Sequence, residues 1–308
     1  MRVVLAVVVA AVAAIVAACS SDRPSRPAAA AGDDATAAAP VAGDAAAALP
    51  RWSTAPDLGA AIARIVTDDV RAVGFGELHA RTDRAAGVRS ALSRFTDDVL
   101  PVLGDRLSDL VLETWLFDRD CGEQAATATT RVEATMRRPA STKSELGVLV
   151  ERARAAGVQP HVMRLSCDDW TRIAPPPPPG ATTAPDVDYE VLLGVITREL
   201  GRIAAEAIAY RDGHGATRRL VATYGGALHN DLYPIEGIAD WSFAAGLDAA
   251  AGGHYLEVDL YVPEYAEVDD LTRGEAWFPL LAEAGADHVL VIERGPRSYV
   301  IVLPRSRP

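Results

Sequence analysis

The segment VRAVGFGELHARTD, residues 70–83, decides how this chain is interpreted. Its apolar half predicts a buried β-strand, which ends where Gly76 is followed by Glu77, Leu78 and His79. In extended backbone, residues two apart point to the same side, so Glu77 and His79 are expected on one face. A carboxylate and an imidazole held together at a strand end suggest a chemical site.

Similar apolar runs recur along the chain and alternate with amphipathic segments. Strands are predicted at residues 70–77, 109–115, 158–165, 218–226 and 255–262, with a two-stranded hairpin within 289–304. Helices are predicted at residues 57–68, 141–157 and 187–211, and another is predicted to begin near Thr82 or Asp83. Strands that alternate with helices are typical of a largely parallel sheet flanked by helices. We therefore expect an α/β fold with an antiparallel C-terminal hairpin at the edge of the sheet.

Three more candidate residues fall at the ends of other predicted strands. Glu113 lies near the end of the second strand. Tyr224 and His229 flank the end of the fourth strand, where GALH at residues 226–229 is a second Gly-x-x-His segment. Ligands of open α/β sheets bind at the carboxyl ends of the strands. We therefore expect Glu77, His79, Glu113 and His229 to meet at one rim of the sheet, with Tyr224 beside them.

Two chemistries suit these four side chains. Carboxylates and neutral imidazoles are ligands for a divalent metal such as Mn, Co or Zn, which would activate a bound water. Without a metal, Glu and His serve as general base and acid in hydrolysis, and one of two adjacent carboxyls would then have a raised pKa. The alternative is that Glu77 only caps the following helix and His229 is a hydrogen-bonded loop residue.

Other polar residues receive structural interpretations. His161 falls inside the third predicted strand and is interpreted as a hydrogen-bonded core histidine. Glu257 and Asp259 alternate with apolar residues in the fifth predicted strand, a pattern typical of an edge strand with one face in water. No Walker loop, nucleophile elbow or HExxH motif is present, which argues against nucleotide binding and serine-hydrolase chemistry.

The first 50 residues carry signals of export. Residues 1–18 combine an early Arg with an apolar run, and Cys19 follows small residues, which predicts a lipoprotein signal peptide with Cys19 as the lipidated residue. Residues 19–50 lack the branched and aromatic residues of a core and are expected to be a disordered tether. The protein is therefore expected to be extracytoplasmic and lipid-anchored, at the outer membrane facing the periplasm or the cell surface if the source is Gram-negative.

The remaining domain, residues 51–308, is expected to be one α/β unit with a Pro-rich surface loop near 174–186. Its two cysteines, Cys121 and Cys167, could form a disulfide in an oxidising compartment or remain separate thiols. The net charge is -12 and the only lysine is Lys143, so nucleic acid is not an expected partner. The expected partners are a small-molecule or peptide substrate and, through the lipid, a membrane.

Three short motifs together resemble a known superfamily. GELH at 76–79, VLE at 111–113 and YGGALH at 224–229 resemble the superfamily of erythromycin esterase, ChaN-like and Tiki/TraB proteins. The resemblance implies an α/β fold with functional residues at Glu77, His79, Glu113 and His229. Tiki-like members resemble metal-dependent peptidases, erythromycin esterase hydrolyses an ester without metal, and ChaN-like members are haem-binding lipoproteins linked to iron uptake.

These observations predict a lipid-anchored protein with a Glu/His hydrolase-type site that cleaves a peptide or ester, with assistance from a metal. One alternative is a ChaN-like haem-binding lipoprotein, with His79, His229 and Tyr224 as the cofactor-binding residues. The other is a binding module without catalytic activity.

Overall fold

The computed structural model describes residues 49–83, 87–116, 119–235 and 237–306. The predicted signal peptide, Cys19 and nearly all of the predicted tether lie outside these residues. Within them, no helix combines the length and the apolar composition needed to cross a membrane.

A single eight-stranded sheet forms the centre of the domain, in the order β1-β7-β8-β6-β2-β5-β3-β4. The strands are β1 (Arg51–Ala55), β2 (Ala72–Glu77), β3 (Leu107–Leu116), β4 (Gln159–Arg164), β5 (Leu220–Gly226), β6 (Tyr255–Tyr261), β7 (Val289–Gly295) and β8 (Ser298–Val302). All pairs from β8 through β6, β2, β5 and β3 to β4 are parallel. The predicted α/β class and the antiparallel β7–β8 hairpin on one side of the sheet are confirmed.

Strand β1 was not predicted from the sequence. It pairs antiparallel with β7 and forms the outer edge of the sheet. Four of its five residues are exposed and only Ala55 is buried. A strand with so little buried surface carries no apolar alternation, and so its sequence lacks the pattern that identifies strands.

Helices cover both faces of the sheet, as expected for parallel strands. They are α1 (Leu58–Ile65), α2 (Ala91–Arg94), α3 (Leu100–Leu103), α4 (Gly122–Met136), α5 (Ser141–Ala155), α6 (Cys167–Ile173), α7 (Tyr189–Gly213), α8 (Ala244–Ala250), α9 (Pro263–Ala266) and α10 (Asp270–Arg273). A π-helical turn, Phe95–Val99, joins α2 to α3. One face carries α1, α2, α3 and α5, and the other carries α4, α6, α7 and α8.

The helix predicted to begin at Thr82 or Asp83 begins instead at Ala91. Ser90 is the N-cap, because its hydroxyl accepts a hydrogen bond from the Ser93 backbone N–H at 3.0 Å. Asp83 is engaged elsewhere, since its carboxylate forms an ion pair with Arg81. Residues 80–83 and 87–90 therefore lie outside helices and strands.

Helices α4 and α6 were not predicted, and the structure joins their N-terminal ends. Cys121 and Cys167 form a disulfide with their Cα atoms 5.1 Å apart. Residues 174–186 lie outside helices and strands, as predicted for the Pro-rich loop. Arg131 of α4 holds this loop by donating hydrogen bonds to the carbonyls of Pro175 and Pro185.

The prediction that Glu257 and Asp259 lie on a wet edge strand is wrong. Their strand, β6, lies between β8 and β2, and both side chains are buried. Arg294 pairs with Glu257 at 2.9 Å, and Asn230 donates to Asp259 at 3.0 Å. The apolar-polar alternation was real, but these polar partners occupy the face that was expected to meet water.

Candidate functional site

The two Gly-x-x-His segments lie side by side because their strands are neighbours. In the parallel pair β2–β5, Glu77 is in register with Gly226. Strand β3, which carries Glu113, lies on the other side of β5. The carboxyl ends of these three strands therefore meet at one rim, the position where open α/β sheets bind ligands.

Glu77 is held from both of its carboxylate oxygens. Oε1 is 2.6 Å from His79 Nδ1, and Oε2 accepts a hydrogen bond of 2.5 Å from the Tyr224 hydroxyl. The guanidinium of Arg138 lies 3.8 Å from Oε1. Burial alone would favour the neutral acid, but the hydrogen bond and charge of His79, together with Arg138 and Tyr224, lower the pKa of Glu77. Glu77 is therefore an ionised acceptor whose two oxygens are already engaged.

This contact determines which nitrogen of His79 carries the proton. An ionised carboxylate only accepts hydrogen bonds, so Nδ1 of His79 is the donor, and Nε2 is the nitrogen that carries the lone pair when the ring is neutral. His79 Nε2 is buried and has no hydrogen-bond partner among the described residues. It lies 3.6 Å from Glu113 Oε2, which is too long for a direct hydrogen bond. Glu77 thus makes His79 a base aimed at the space beside Glu113.

Glu113 lies next to both Gly-x-x-His segments. Its Oε2 accepts a 2.5 Å hydrogen bond from the backbone N–H of Gly226 and faces His79. Burial opposes ionisation, but His79 first, with His229 and Arg138, lowers the pKa of Glu113 to about 2. The expectation that one carboxyl of the pair would have a raised pKa is therefore wrong, because an imidazole lies between the two carboxylates and a guanidinium lies close to them.

His229 is held by neutral groups only. The Thr197 hydroxyl donates to the Trp241 carbonyl at 2.8 Å, so it can accept from His229 Nδ1, which is 2.7 Å away. The same Nδ1 lies 3.2 Å from the Trp241 carbonyl, which is also an acceptor. Nδ1 therefore carries the hydrogen, and Nε2 has the lone pair. Burial lowers the pKa of His229, so the ring is neutral at pH 7.

Gly226 leaves the space on which the side chains converge. A Cβ atom at this position would lie 3.0 Å from His79 Nε2, 3.5 Å from Glu113 Oε2 and 3.6 Å from His229 Cδ2. His229 Nε2, like His79 Nε2, is buried without a hydrogen-bond partner among the described residues. Buried polar atoms normally have partners, so two such nitrogens in one place are the signature of a site for a ligand or water.

The structure brings together the side chains that were predicted for the site and adds two more. The contacts above place Glu77, His79, Glu113, His229 and Tyr224 in one cluster. Arg138 was missed because it follows α4, a helix that was not predicted. Thr197 was missed although it carries a signal, since it is a polar residue on the buried side of α7.

His161 lies apart from this cluster. Its Nε2 is 2.8 Å from the carboxylate of Asp109, near the start of β3 and so toward the opposite rim. Arg211 pairs with the same carboxylate at 2.7 Å. The side chain of His161 is hydrogen-bonded, as its structural interpretation expected, but it is half-buried at the edge strand and does not lie in the core.

A small cavity of about 70 Å³ opens beside Glu77 and His79. Most of its lining is apolar, and includes Leu228, Ile238 and Leu271. Sites that enclose drug-sized ligands have volumes of about 300 to 1,000 Å³. The cavity suits a small substrate group and gives no support to a bound haem.

The donor atoms decide whether a metal ion fits this site. Both oxygens of Glu77 are occupied by His79 and Tyr224, which removes it from the ligands that were predicted. The donors that remain are the Nε2 atoms of His79 and His229 and the carboxylate of Glu113. Among the described residues, no group of three or more His, Cys, Asp or Glu has an arrangement that could hold a metal. The residues as arranged therefore do not fit the predicted metal.

Comparisons with protein-family profiles, curated protein sequences and solved structures gave no significant match for this chain.

Proposed function

We propose that this protein is a hydrolase that cleaves a small ester or peptide substrate with a Glu77–His79 pair as its base. One observation carries the proposal: within the described part of the chain, His79 Nε2 and His229 Nε2 are buried without partners, and both rings come within 3.6 Å of the position that a Cβ of Gly226 would occupy. The ionised carboxylate of Glu77 lies at Nδ1 of His79, and a carboxylate in this position activates a histidine base. Two of the three groups that the motifs resemble, the Tiki-like proteins and erythromycin esterase, are associated with the same reaction class.

The chemistry follows from the proton positions. A water in the space beside Gly226 donates a hydrogen bond to His79 Nε2, which takes its proton as the oxygen attacks the substrate carbonyl. Glu77 stabilises the resulting imidazolium through Nδ1–H, and Glu113 adds a second negative charge 3.6 Å from Nε2. The tetrahedral adduct then collapses, the bond to the leaving group breaks, and His79 returns the proton to the leaving oxygen or nitrogen.

His229 has a different role in this scheme. Its neutral ring presents a lone pair and no charge, so it positions the water by accepting its second hydrogen. His79 and, with a smaller effect, Arg138 at 3.8 Å lower the pKa of Glu77 and keep that carboxylate ionised despite its burial. Glu77 and His79 therefore activate the water, His229 orients it, and Glu113 and Arg138 balance the charge.

The haem-binding and non-catalytic alternatives account for less of the site than a hydrolase does. A haem would need the ring nitrogens of His79 and His229 together with a larger space than the cavity of about 70 Å³ provides. The Tyr224 hydroxyl, the third predicted cofactor contact, already donates to Glu77. A binding module without activity would account for the two buried imidazole nitrogens, but it would not need the ionised Glu77 at Nδ1 of His79.

The site of action proposed for the enzyme is outside the cytoplasm, with the domain tethered through a lipid on Cys19. The Cys121–Cys167 disulfide supports an oxidising compartment. Metabolic labelling with a fatty acid tests the anchor, because Cys19→Ser should remove the label completely. Labelling that survives the substitution would contradict a lipid anchor on Cys19.

The catalytic proposal is tested with chromogenic esters of short acids and with short peptide anilides. Glu77→Gln keeps the shape and hydrogen-bonding reach of the side chain and removes its charge. We expect kcat/KM to fall by about 10³ or more, as for the loss of the carboxylate behind a catalytic histidine. Circular dichroism checks that the fold persists, and Glu151→Gln on the exposed side of α5 is the matched control.

The assay is run with and without a metal chelator. Hydrolysis that survives chelation and is lost in Glu77→Gln supports the proposal. Wild-type protein that cleaves neither class of substrate, or a folded Glu77→Gln variant with full activity, overturns it. Activity that disappears on chelation and returns with Mn, Co or Zn would restore the metal-assisted alternative.

A further inference from the structure

One acidic side chain in the cavity has no structural role. Glu275 follows α10 and lines the same cavity as Glu77 and His79. It is partly buried, and no described residue forms a hydrogen bond or an ion pair with its carboxylate. Its backbone makes turn contacts, with N–H donating to the Thr272 carbonyl at 3.1 Å. The backbone therefore accounts for the turn, and the carboxylate belongs to a residue that lines the cavity and has no hydrogen-bond partner among the described residues.

The other charged groups around the cavity are already paired. Arg81 forms a two-pronged contact with Asp83, at 2.9 and 2.8 Å. Asp269 caps α10 by accepting from the backbone N–H and the hydroxyl of Thr272, at 3.0 and 2.8 Å. Arg294, the cation whose charge acts on Glu275, is committed to Asp231 and Glu257. Among the described residues that line it, the cavity therefore has a free anion and no free cation.

Partial burial makes this anion a recognition group. Burial raises the pKa of Glu275 because an apolar surrounding disfavours its charge. A substrate cation that enters the cavity would favour that charge and form a short ion pair away from bulk water. The apolar lining, which includes Leu228, Ile238 and Leu271, would cover the carbon chain of the same substrate.

We propose that Glu275 determines substrate specificity by binding a protonated amine of the substrate, so that the enzyme prefers small aminoacyl esters or amides over neutral ones of the same shape. This inference rests on the proposed hydrolase function. The amine would lie at Glu275 while the scissile carbonyl lies at His79, and a cavity of about 70 Å³ limits the acyl group to a few heavy atoms.

The test uses two substrates of equal shape. Alanine and isobutyric acid differ only in an ammonium group in place of a methyl group, and both are offered as the same chromogenic ester. We expect the wild-type enzyme to favour the alanyl ester. In Glu275→Gln the ratio of the two kcat/KM values should fall by about 10- to 100-fold, the range for losing a hydrogen bond to a charged group. Glu283→Gln, an exposed glutamate outside the cavity, is the matched control and should keep the wild-type ratio.

A binding measurement separates this inference from the proposed function. Titration calorimetry compares alaninamide with isobutyramide, which have the same shapes, in proteins that also carry His79→Gln so that neither amide is turned over. Preferential binding of alaninamide that Glu275→Gln removes supports the amine site even if neither ester is hydrolysed. Hydrolysis of both esters with a ratio near one, unchanged in Glu275→Gln, overturns the inference and leaves the hydrolase intact. A preference of equal size in both proteins also overturns it, because the amine would then be bound by another group.

Discussion

The two Gly-x-x-His segments look alike in sequence and are held differently in the structure. His79, at the end of β2, has an ionised carboxylate behind its Nδ1, 2.6 Å away. His229, after β5, has a threonine hydroxyl and a peptide carbonyl there instead, at 2.7 and 3.2 Å. Both rings have a buried Nε2 without a hydrogen-bond partner among the described residues, but only His79 has a carboxylate at its Nδ1.

Equal motifs can therefore have unequal chemistry. An imidazole backed by a carboxylate can gain and release a proton during a reaction, since the charge of its protonated form is balanced. An imidazole backed by neutral acceptors in a buried position stays neutral, and the lowered pKa of His229 expresses this. The motif determines where the ring stands, and the partner of Nδ1 determines what the ring can do.

The largest expected effect is the contrast between the two histidines. His79→Gln should reduce kcat/KM by about 10³ or more because it removes the base, within the range for general acid–base catalysis. His229→Gln should cost only about 10- to 100-fold, because an amide can still hold a water through a hydrogen bond. Steady-state kinetics on the ester and peptide substrates measures both. Equal losses, or a larger loss for His229→Gln, would reverse the roles assigned to the two segments.

The second-largest expected effect is on stability and comes from the carboxylate of Glu113. Glu113 has a pKa of about 2 in the folded protein against 4.5 ordinarily, so its stabilisation is complete above pH 4.5. The folded state binds fewer protons than the unfolded state between these values, so this contribution is lost as pH falls from 4.5 to about 2. The shift corresponds to roughly 3 kcal/mol.

Urea unfolding across this pH range measures the effect of Glu113. The free energy of unfolding should fall more steeply in the wild-type protein than in Glu113→Gln, which cannot titrate at this position. Other carboxyls titrate in both proteins, so their contributions cancel in the difference. Parallel curves would mean that Glu113 is not held between the two segments by His79 and Gly226.

The smallest effect concerns the neutral partner of His229. Thr197→Val removes the hydroxyl that accepts from Nδ1 and donates to the Trp241 carbonyl, and should cost about 1 to 2 kcal/mol of stability and less than about tenfold in kcat. Thr129→Val is the matched control, because the buried hydroxyl of Thr129 has no hydrogen-bond partner among the described residues. Nitrogen-15 NMR should show the proton of His229 on Nδ1 in the wild-type protein. A proton on Nε2 there would contradict the proposed role in positioning water.

Much of the fold could be predicted because the strands bury continuous apolar runs. The central strands and α7 carry periodic patterns that local sequence expresses directly. Strand β1 was not predicted because it is exposed. Helix α4 was not predicted because it is rich in Ala and Thr and has little apolar contrast. Glu257 and Asp259 were misjudged because alternation shows which residues share a face but not whether that face is covered.

The candidate site likewise contains residues that were predicted from the sequence and residues that were not. Glu77, His79, Glu113 and His229 were found from the sequence because each stands at or near the end of an apolar run, and the ends of parallel strands share a rim. Arg138 and Thr197 were not assigned, since nothing local connects a residue after α4 or inside α7 with the end of β2. The same holds for Glu275, because a glutamate after a short helix looks like any surface residue until the cavity is visible.

Local sequence was enough to establish that apolar strands would alternate with helices, and that two carboxylates and two imidazoles would stand at their ends. These properties depend on residues near one another in the chain, where periodicity and backbone geometry act. Folding was needed to set the strand order that brings Gly226 beside Glu77, and to supply the partners that keep Glu77 and Glu113 ionised. The pKa and tautomer of a buried group depend on burial and on charges that folding brings close in space. Tyr224 and Glu77, for example, are 147 residues apart in the chain and form a hydrogen bond. No local sequence pattern encodes such contacts.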